Sequence, residues 1–289
     1  MERISISDHL GFGCVGLATY KSLNYSLKLL EQAYHSGINY FDTAPIYSKG
    51  YSEIILGKFL QKKRDKVLVS TKFGLGHVNS GLVPAAMAIY LNQQLRSKET
   101  ERLTDSPPSK IDFRKIDKPD IEKCLMASLK RLKTDYLDCF LLHEGLSSFL
   151  TDEAFFYLQS IKTAGIVKKI GLATNYFNLK DDQQLKDWDI LQYDHHTSSQ
   201  NQDGFVSLYP NQTHIYHSTL KRIKKVAIPG AEAKEIAGIV LAGEIRKNPN
   251  GRILFATGNN THLQQNLIST EKYLSTDLQT LNRLLNHAF

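Results

Sequence analysis

The sequence predicts an α/β fold, a single-domain (β/α)8 barrel, on three observations. Short apolar runs alternate with segments of helical periodicity along the whole chain, which is the pattern of a parallel sheet with helical crossovers. At 289 residues the chain suits one barrel, a fold that uses about 250 residues as a single domain. Finally, Asp42, Tyr47, Lys72 and His143 stand just past the ends of consecutive apolar runs, at the rim where such barrels keep their active sites.

The first strand candidate is Leu10 to Ala18. Ser22 then caps a helix over Leu23 to Ser36, whose Leu27, Leu30 and Tyr34 share one face and which Gly37 stops. Strand two is Ile38 to Phe41, with a helix from about Ser52 to Lys62; strand three is Val67 to Thr71. Asp120 to Leu132 reads as a helix, Tyr136 to Leu142 as strand four, and Asp152 to Ala164 as the next helix. Strand five, Lys169 to Ala173, leads to a helix near Leu179 to Lys186, and strand six is Ile190 to Tyr193. Strand seven is short, around His214 to Tyr216. A helix over Ala231 to Lys247, strand eight from Ile253 to Ala256 and a helix from about Thr261 complete the order. Two stretches interrupt it. Gly74 to Lys118 is a long polar insertion containing Pro107 and Pro108, and loops of that length in compact domains are usually functional lids or partly disordered. Asp194 to Thr213 is Gln/Asn-rich and too short for a full sixth crossover, so a reduced one is expected there.

Bulk properties remove several function classes. No run approaches the ~18 apolar residues of a membrane span, and Met1 to Ser5 holds no apolar signal region. The three cysteines, Cys14, Cys124 and Cys139, lack metal-ligand spacing, and their odd number argues against a disulfide framework; a reducing, cytoplasmic setting is expected. Net charge is +7, but the 36 basic residues are dispersed among 29 acids. That argues for a protein that binds an anionic cofactor rather than nucleic acid.

Two patterns tempt toward other chemistry. Gly11 to Gly16 reads GFGCVG, a literal GxGxxG, and an acid, Asp42, closes the second strand. A dinucleotide fingerprint needs its third glycine in the opening turn of a helix. Here Gly16 leads into Leu17 to Tyr20 and the helix begins only after Ser22, so the glycines belong to a barrel strand and its turn. His195, His196, His214 and His217 invite a metal, but adjacent histidines on a strand face opposite ways and no recognisable zinc pattern is completed.

The segment DTAPIYSKGYSEIILG, Asp42 to Gly57, resembles the aldo-keto reductase superfamily. The likeness continues in Arg64 to Lys72, in SLKRLKTDYLDCFLLH from Ser128 to His143, in GIVKKIGLATN from Gly165 to Asn175, and in FATGNNTHLQQNL from Phe255 to Leu267. The resemblance implies reduction of an aldehyde or ketone by a nicotinamide cofactor, and the chemistry of the four rim residues agrees. The oxygen of a carbonyl taking up hydride needs a proton; a tyrosine can supply it, but at a pKa of ~10 it is sluggish near neutrality. A nearby ammonium lowers that pKa, and a carboxylate keeps the ammonium charged and in place. Tyr47 is thus the expected general acid/base, Lys72 its electrostatic tuner, Asp42 the partner of Lys72, and His143 the donor that orients the carbonyl oxygen.

For the cofactor, the resemblance implies that Thr174, Asn175 and Gln192 hold the nicotinamide carboxamide. It also implies an aromatic stacked on the ring after strand seven. Tyr216 is preferred for this, with His217 the alternative if Leu220 is matched to the family's leucine. Thr257, Asn259, His262 and Asn266 are expected to receive the adenosine end, where a helix N-terminus offers free N–H groups. NADP(H) is expected over NAD(H), with the basic run Lys221 to Lys225 as either a pyrophosphate contact or a solvated charge run. The insertion 74–118 is expected to overhang a small carbonyl substrate. The alternative function is an NADP(H)-binding regulatory or structural subunit of the same fold without significant turnover.

Overall fold

The computed structural model describes residues 5–75, 84–90, 115–195, 202, 204–221, 223, 228 and 230–288. Most of the insertion 74–118, together with His196 and three residues of the basic run, lies outside that set. Eight parallel strands close on themselves in sequence order: β1 Leu10–Gly13, β2 Tyr40–Asp42, β3 Leu68–Phe73, β4 Leu137–His143, β5 Val167–Ala173, β6 Ile190–Asp194, β7 Thr213–His217 and β8 Arg252–Phe255. β1 pairs with both β2 and β8, so no strand edge is left open. The expected (β/α)8 barrel is the observed one.

Side chains alternate across each strand, and the chain uses the alternation to build two cores. Tyr40, Cys139, Leu141, Ala173, Ile190, Ile215 and Leu254 point inward and fill the barrel. Phe41, Val69, Phe140, Leu142, Leu191, Tyr193, Tyr216 and Ile253 point outward and pack under the helices. The principal helices are α1 Leu23–His35, α2 Tyr51–Leu60, α3 Lys118–Leu132, α4 Asp152–Thr163, α5 Tyr176–Leu179, α6 Phe205–Leu208, α7 Ile236–Lys247, α8 Asn260–Leu274 and α9 Leu278–Ala288. Ser22, Asp117, Thr151 and Asn259 cap α1, α3, α4 and α8 through their side-chain oxygens.

Several boundaries differ from expectation. The first strand stops at Gly13, because the chain turns into a 3-10 segment at Leu17–Thr19. On the strand itself, a Cβ at Gly11 would come within 2.6 Å of Leu254 and 2.9 Å of Tyr40; the glycines make room for barrel neighbours, not for a pyrophosphate. After β5 the expected helix near Leu179 to Lys186 is replaced by the single turn α5 and a 3-10 segment at Leu185–Asp187. Asp182 explains the break, since its carboxylate accepts from Ser147 N (2.6 Å) and Gln184 N (2.9 Å) and folds the chain back. The sixth crossover is reduced, with the one-turn α6 its helix among the described residues. α9 was not expected. Its Leu281, Leu284, Leu285 and Ala288 are buried, and Leu285 lies against Gly243 of α7. In the insertion, 85–90 is helical and puts Ala85, Ala88 and Ile89 in the outer core. Among the described residues no helix is long and apolar enough to cross a membrane.

All three cysteines are free. Burial pushes the Cys124 and Cys139 thiols up to about 12 and raises Cys14 as well. Alkylation needs the thiolate, so at pH 8 native protein should take up iodoacetamide far more slowly than denatured protein, which should acquire three adducts. Rapid modification of any one thiol in the native state, read by intact mass, would contradict this burial.

Candidate active site

The inward-facing residues turn polar at the C-terminal rim. Inward-facing residues at or near the strand ends contribute there: Gly13, Asp42, Lys72, His143, Ala173, Gln192 and His217 all line one cavity of about 540 Å³. The ladder continues beyond the strand ends and fixes their level. Cys14 N donates to Asp42 O (2.8 Å), Thr43 N to Ser70 O (2.8 Å), Glu144 N to Ala173 O (2.7 Å) and Thr174 N to Gln192 O (3.0 Å).

Lys72 is the centre of the constellation. Its Nζ donates to Asp42 Oδ2 (2.7 Å), to Thr43 O (2.8 Å) and, over a longer 3.5 Å, to the Tyr47 hydroxyl. Burial would lower the Lys72 pKa, but Asp42 and Tyr47 beside it hold it above its ordinary value, so the amine stays charged. The Tyr47 and His143 rings meet edge to face at 5.9 Å. Burial drives the His143 pKa well down, and the charges of Lys72 and His217 lower it further. The imidazole is therefore neutral near pH 7 and has one N–H to donate.

Tyr47 departs from expectation in one respect. Burial raises its pKa, the Lys72 ammonium lowers it, Asp42 raises it again, and the net direction is up. The ammonium acts with the expected sign, but its short bonds go to Asp42 and Thr43, and the phenol receives the longest of the three.

Tyr47 hangs over the cavity because the loop carrying it is fastened at both ends. Thr43 and Ser52 share a hydroxyl hydrogen bond (3.0 Å), and Ser52 donates on to Cys14 O (2.6 Å). Glu53, fully buried on α2, accepts from Thr71 Oγ1 (2.6 Å) and Arg131 Nε (2.5 Å). Gly57 lets α2 approach α3 closely, since a Cβ there would lie 2.4 Å from Arg131 O. Between these anchors Ser48, Lys49 and Gly50 all have left-handed backbone (φ 50, 55 and 83) and reverse the chain just after Tyr47.

The residues expected to hold the cofactor divide. Gln192 is on the cavity wall, and its Oε1 is buried with no hydrogen-bond partner among the described residues; so is Thr219 Oγ1, on the loop after β7. An unmet acceptor beside Ala173, its partner in the ladder, fits a carboxamide N–H2, so this end of the cavity suits a nicotinamide. Thr174 and Asn175 are committed elsewhere. Thr174 hydrogen-bonds Asn178 Nδ2 (3.4 Å) and the Glu144 carboxylate, and Asn175 caps α5 by accepting from Asn178 N (3.0 Å).

Tyr216 does not reach the cavity. It is buried in the outer core, stacked on His195 at 4.0 Å and 5°, whose Nδ1 pairs with the buried Glu244 carboxylate at 2.5 Å. His217 lines the cavity in its place. Strand parity carried that signal, because Ile215 faces inward and so must His217. The histidines also disperse. His214 bonds the Tyr193 hydroxyl and Tyr209 O, while His217 Nδ1 bonds Ser218 Oγ, and among the described residues no metal-holding cluster of His, Cys, Asp or Glu occurs.

At the turn after β8, Thr257 and Asn259 bond one another, and Asn259 Oδ1 accepts from Thr261 N and His262 N. Tyr20 and Tyr25 donate to the Thr257 and Gly258 carbonyls. His262 is exposed on the first turn of α8, and Asn266 is buried one turn on.

Removing one member of a buried ion pair costs about 3–5 kcal/mol. Lys72→Met should therefore destabilise strongly by leaving Asp42 without its ammonium, and Asp42→Asn placed on top should recover much of the loss. Urea unfolding of the wild type, both single variants and the double variant checks this; strictly additive losses would show that the pair is not coupled.

With this geometry in place, comparison with known proteins is direct. The family model described as the aldo/keto reductase family matches residues 9–202. A D-threo-aldose 1-dehydrogenase from Pseudomonas sp is 32% identical over 173 residues, covering 57% of this chain and 49% of that protein. An NADH-specific methylglyoxal reductase from Escherichia coli (strain K12) is 30% identical over 166 residues, 56% of this chain and 45% of that one. The chain thus spans less than half the length of both relatives. Among solved structures, the aldo-keto reductase AKR11C1 from Bacillus halodurans in its holo form superposes with a TM-score of 0.70, covering 97% of this chain and 92% of that chain at 18% identity, a likeness of fold. The match of the family model over residues 9–202 settles descent: the chain belongs to the aldo/keto reductase family.

Proposed function

We propose that this protein reduces a small aldehyde or ketone to the alcohol at the expense of NAD(P)H, reversibly. One observation carries the reading. A protonated phenol, a buried ammonium and a neutral imidazole converge on one cavity whose wall also holds the unmet acceptor of Gln192. When bound there, a reduced nicotinamide supplies hydride to the carbonyl carbon. The chain's own residues handle the oxygen. His143, neutral, donates a hydrogen bond that orients it, and Tyr47 gives up its proton as negative charge develops. Lys72, held charged by Asp42, stabilises the phenolate left behind. The raised Tyr47 pKa suits the reductive direction, because the phenol stays protonated at neutral pH and an alkoxide-like oxygen is more basic than the phenolate that replaces it.

NADP(H) rather than NAD(H) is the proposed partner. Support comes from the net charge of +7 and from Lys21, whose ammonium sits 5.4 Å over the Tyr25 ring while the Tyr25 hydroxyl binds Gly258 O. A cation on the first loop of the barrel is thus linked to the strand-eight turn through the Tyr25 side chain. Three unpaired cysteines suit a reducing, cytoplasmic compartment.

Fluorescence titration with NADPH and NADH in parallel, then a carbonyl panel with the tighter nucleotide, tests the assignment. Tyr47→Phe should lower kcat by at least about a hundredfold, the scale of lost general acid catalysis, and leave nucleotide affinity in place. Lys21→Ala should weaken NADPH binding and leave NADH binding alone. Failure of both nucleotides to bind would end the enzyme reading; tight binding without turnover on any carbonyl would instead favour the regulatory subunit.

The pH profile follows from the signs of the two shifts. His143 is neutral down to well below its ordinary 6.5, and Tyr47 is protonated to above its ordinary 10. Reductive kcat/KM should therefore hold a plateau across pH 6.5 to 10. An acidic limb with its midpoint above 6.5 would contradict the burial of His143.

A further inference from the structure

We propose a second binding site, for a small oxoanion, at the mouth of the barrel opposite the active site. Its ligands are the guanidinium of Arg252 and the ammonium of Lys169. The group they take is a phosphate or a carboxylate on a small molecule.

The strand pattern supplies the first observation. A cavity of about 290 Å³ opens at the N-terminal ends of the strands, with Tyr40, Leu68, Lys169, Ile190, Thr213 and Arg252 on its wall. It shares no lining residue with the catalytic cavity. Ile215 and Leu254 point inward, so by alternation Thr213 and Arg252 do too, and Ala173 places Lys169 on the same face. Barrels usually fill their interior layers with bulky branched side chains; here two positions of the lowest layer are cationic. Both border β7, since Lys169 Nζ donates to Thr213 Oγ1 (3.3 Å) and Arg252 is paired with Ile215 in the ladder. The turn before β8 sets Arg252 in place. Gly251 N donates to Asn248 O (3.1 Å), and Asn248 Nδ2 donates to His214 O (3.0 Å).

The second observation is the charge balance of the wall. Asp138, one of its two acids, is engaged by Arg64 (2.7 Å) and Lys168 (2.9 Å). Asp8, the other, is exposed and is the weakest of the three groups that hold the Arg252 charge, after Tyr40 and Cys139. Arg252 Nη1 makes two long bonds, to Ser7 O and Asn39 Oδ1 (3.4 Å each), and its guanidinium lies 5.1 Å over the Tyr40 ring. A guanidinium has five N–H groups, so most of this planar fork is left for an acceptor. Burial pulls the Arg252 pKa down, the mark of a cation partly withdrawn from water, and such a charge gains from a paired anion. A guanidinium meets two oxygens of a phosphate or carboxylate in one plane, and the Lys169 ammonium adds a second positive charge.

The test titrates inorganic phosphate and malonate into the protein by calorimetry at constant ionic strength, with and without saturating NADPH. Wild type is compared with Arg252→Gln, Lys169→Gln and Lys123→Gln, the last an exposed control on α3, and thermal melts verify folding. One or both anions should bind wild type at a single site, with NADPH leaving the affinity unchanged. Arg252→Gln should weaken binding by about tenfold or more, the scale of a hydrogen bond to a charged group. Lys169→Gln should weaken it by about threefold, because the ammonium is exposed, and Lys123→Gln should match wild type. Tighter binding of phosphate identifies a phosphorylated ligand, and tighter binding of malonate a carboxylic acid. If Arg252→Gln does not fold, Lys169→Gln decides alone. No binding of either anion, unchanged affinity in either site variant, or displacement of the anion by NADPH overturns the proposal. The comparison among nucleotide-free proteins does not depend on NADPH binding, so this site and the carbonyl-reductase reading stand or fall separately.

Discussion

A lysine ammonium with 1% of its side-chain surface exposed is the constraint around which this site is organised. Such a charge is tolerable in a barrel mouth only if its donors are met, and here Asp42, the Thr43 carbonyl and the Tyr47 hydroxyl meet them. One of those acceptors comes from the end of β2 and two from the loop beyond it, so the pair exists only while β2 and β3 keep their register, Asp42 opposite Ser70. Buried ion pairs contribute little net stability, because desolvation offsets much of their attraction. What this one contributes is position. It fixes a positive charge beside the phenol and adds to the burial that keeps the imidazole neutral.

The barrel itself makes that charge effective. Its lower interior is filled by Tyr40, Cys139, Leu141, Ile190, Ile215 and Leu254, which leaves the rim residues on a dry floor. Charges interact more strongly over such a floor than in water. The polar residues of the cavity wall stand mostly at or near the strand ends, and one geometric rule, alternation across the pleat, aims them inward. Glu144 is the exception to the rule, and its left-handed backbone marks where the chain departs from regular structure to add a group to the cavity.

The far end of the site is built differently. At the turn after β8 Asn259 caps α8 and two tyrosines from the first loop hold the Thr257 and Gly258 carbonyls. That turn is ordered by hydrogen bonds within the chain, yet the buried Asn260 Oδ1 has no partner among the described residues. The cavity wall likewise keeps Gln192 Oε1 and Thr219 Oγ1 without one. Unmet polar atoms thus stand both on the cavity wall and at the strand-eight turn.

The sequence by itself determined the barrel, its strand order and the four rim residues Asp42, Tyr47, Lys72 and His143, because these depend on local pattern: apolar runs, caps, and polar residues at strand ends. It also pointed to a reduced sixth crossover, since Asp194 to Thr213 is Gln/Asn-rich and short for a helix. Tertiary structure decided what depends on direction and on distant partners. Tyr216 and His217 are neighbours in the chain, and only the strand's parity in the closed barrel sends one to the outer core and the other to the cavity. The bonds that the Thr174 and Asn175 side chains make to Glu144 and Asn178 are likewise seen only in the folded chain. The upward shift of the Tyr47 pKa was invisible for the same reason: it is set by burial and by where three acceptors sit around one ammonium, and neither is written in the order of the residues.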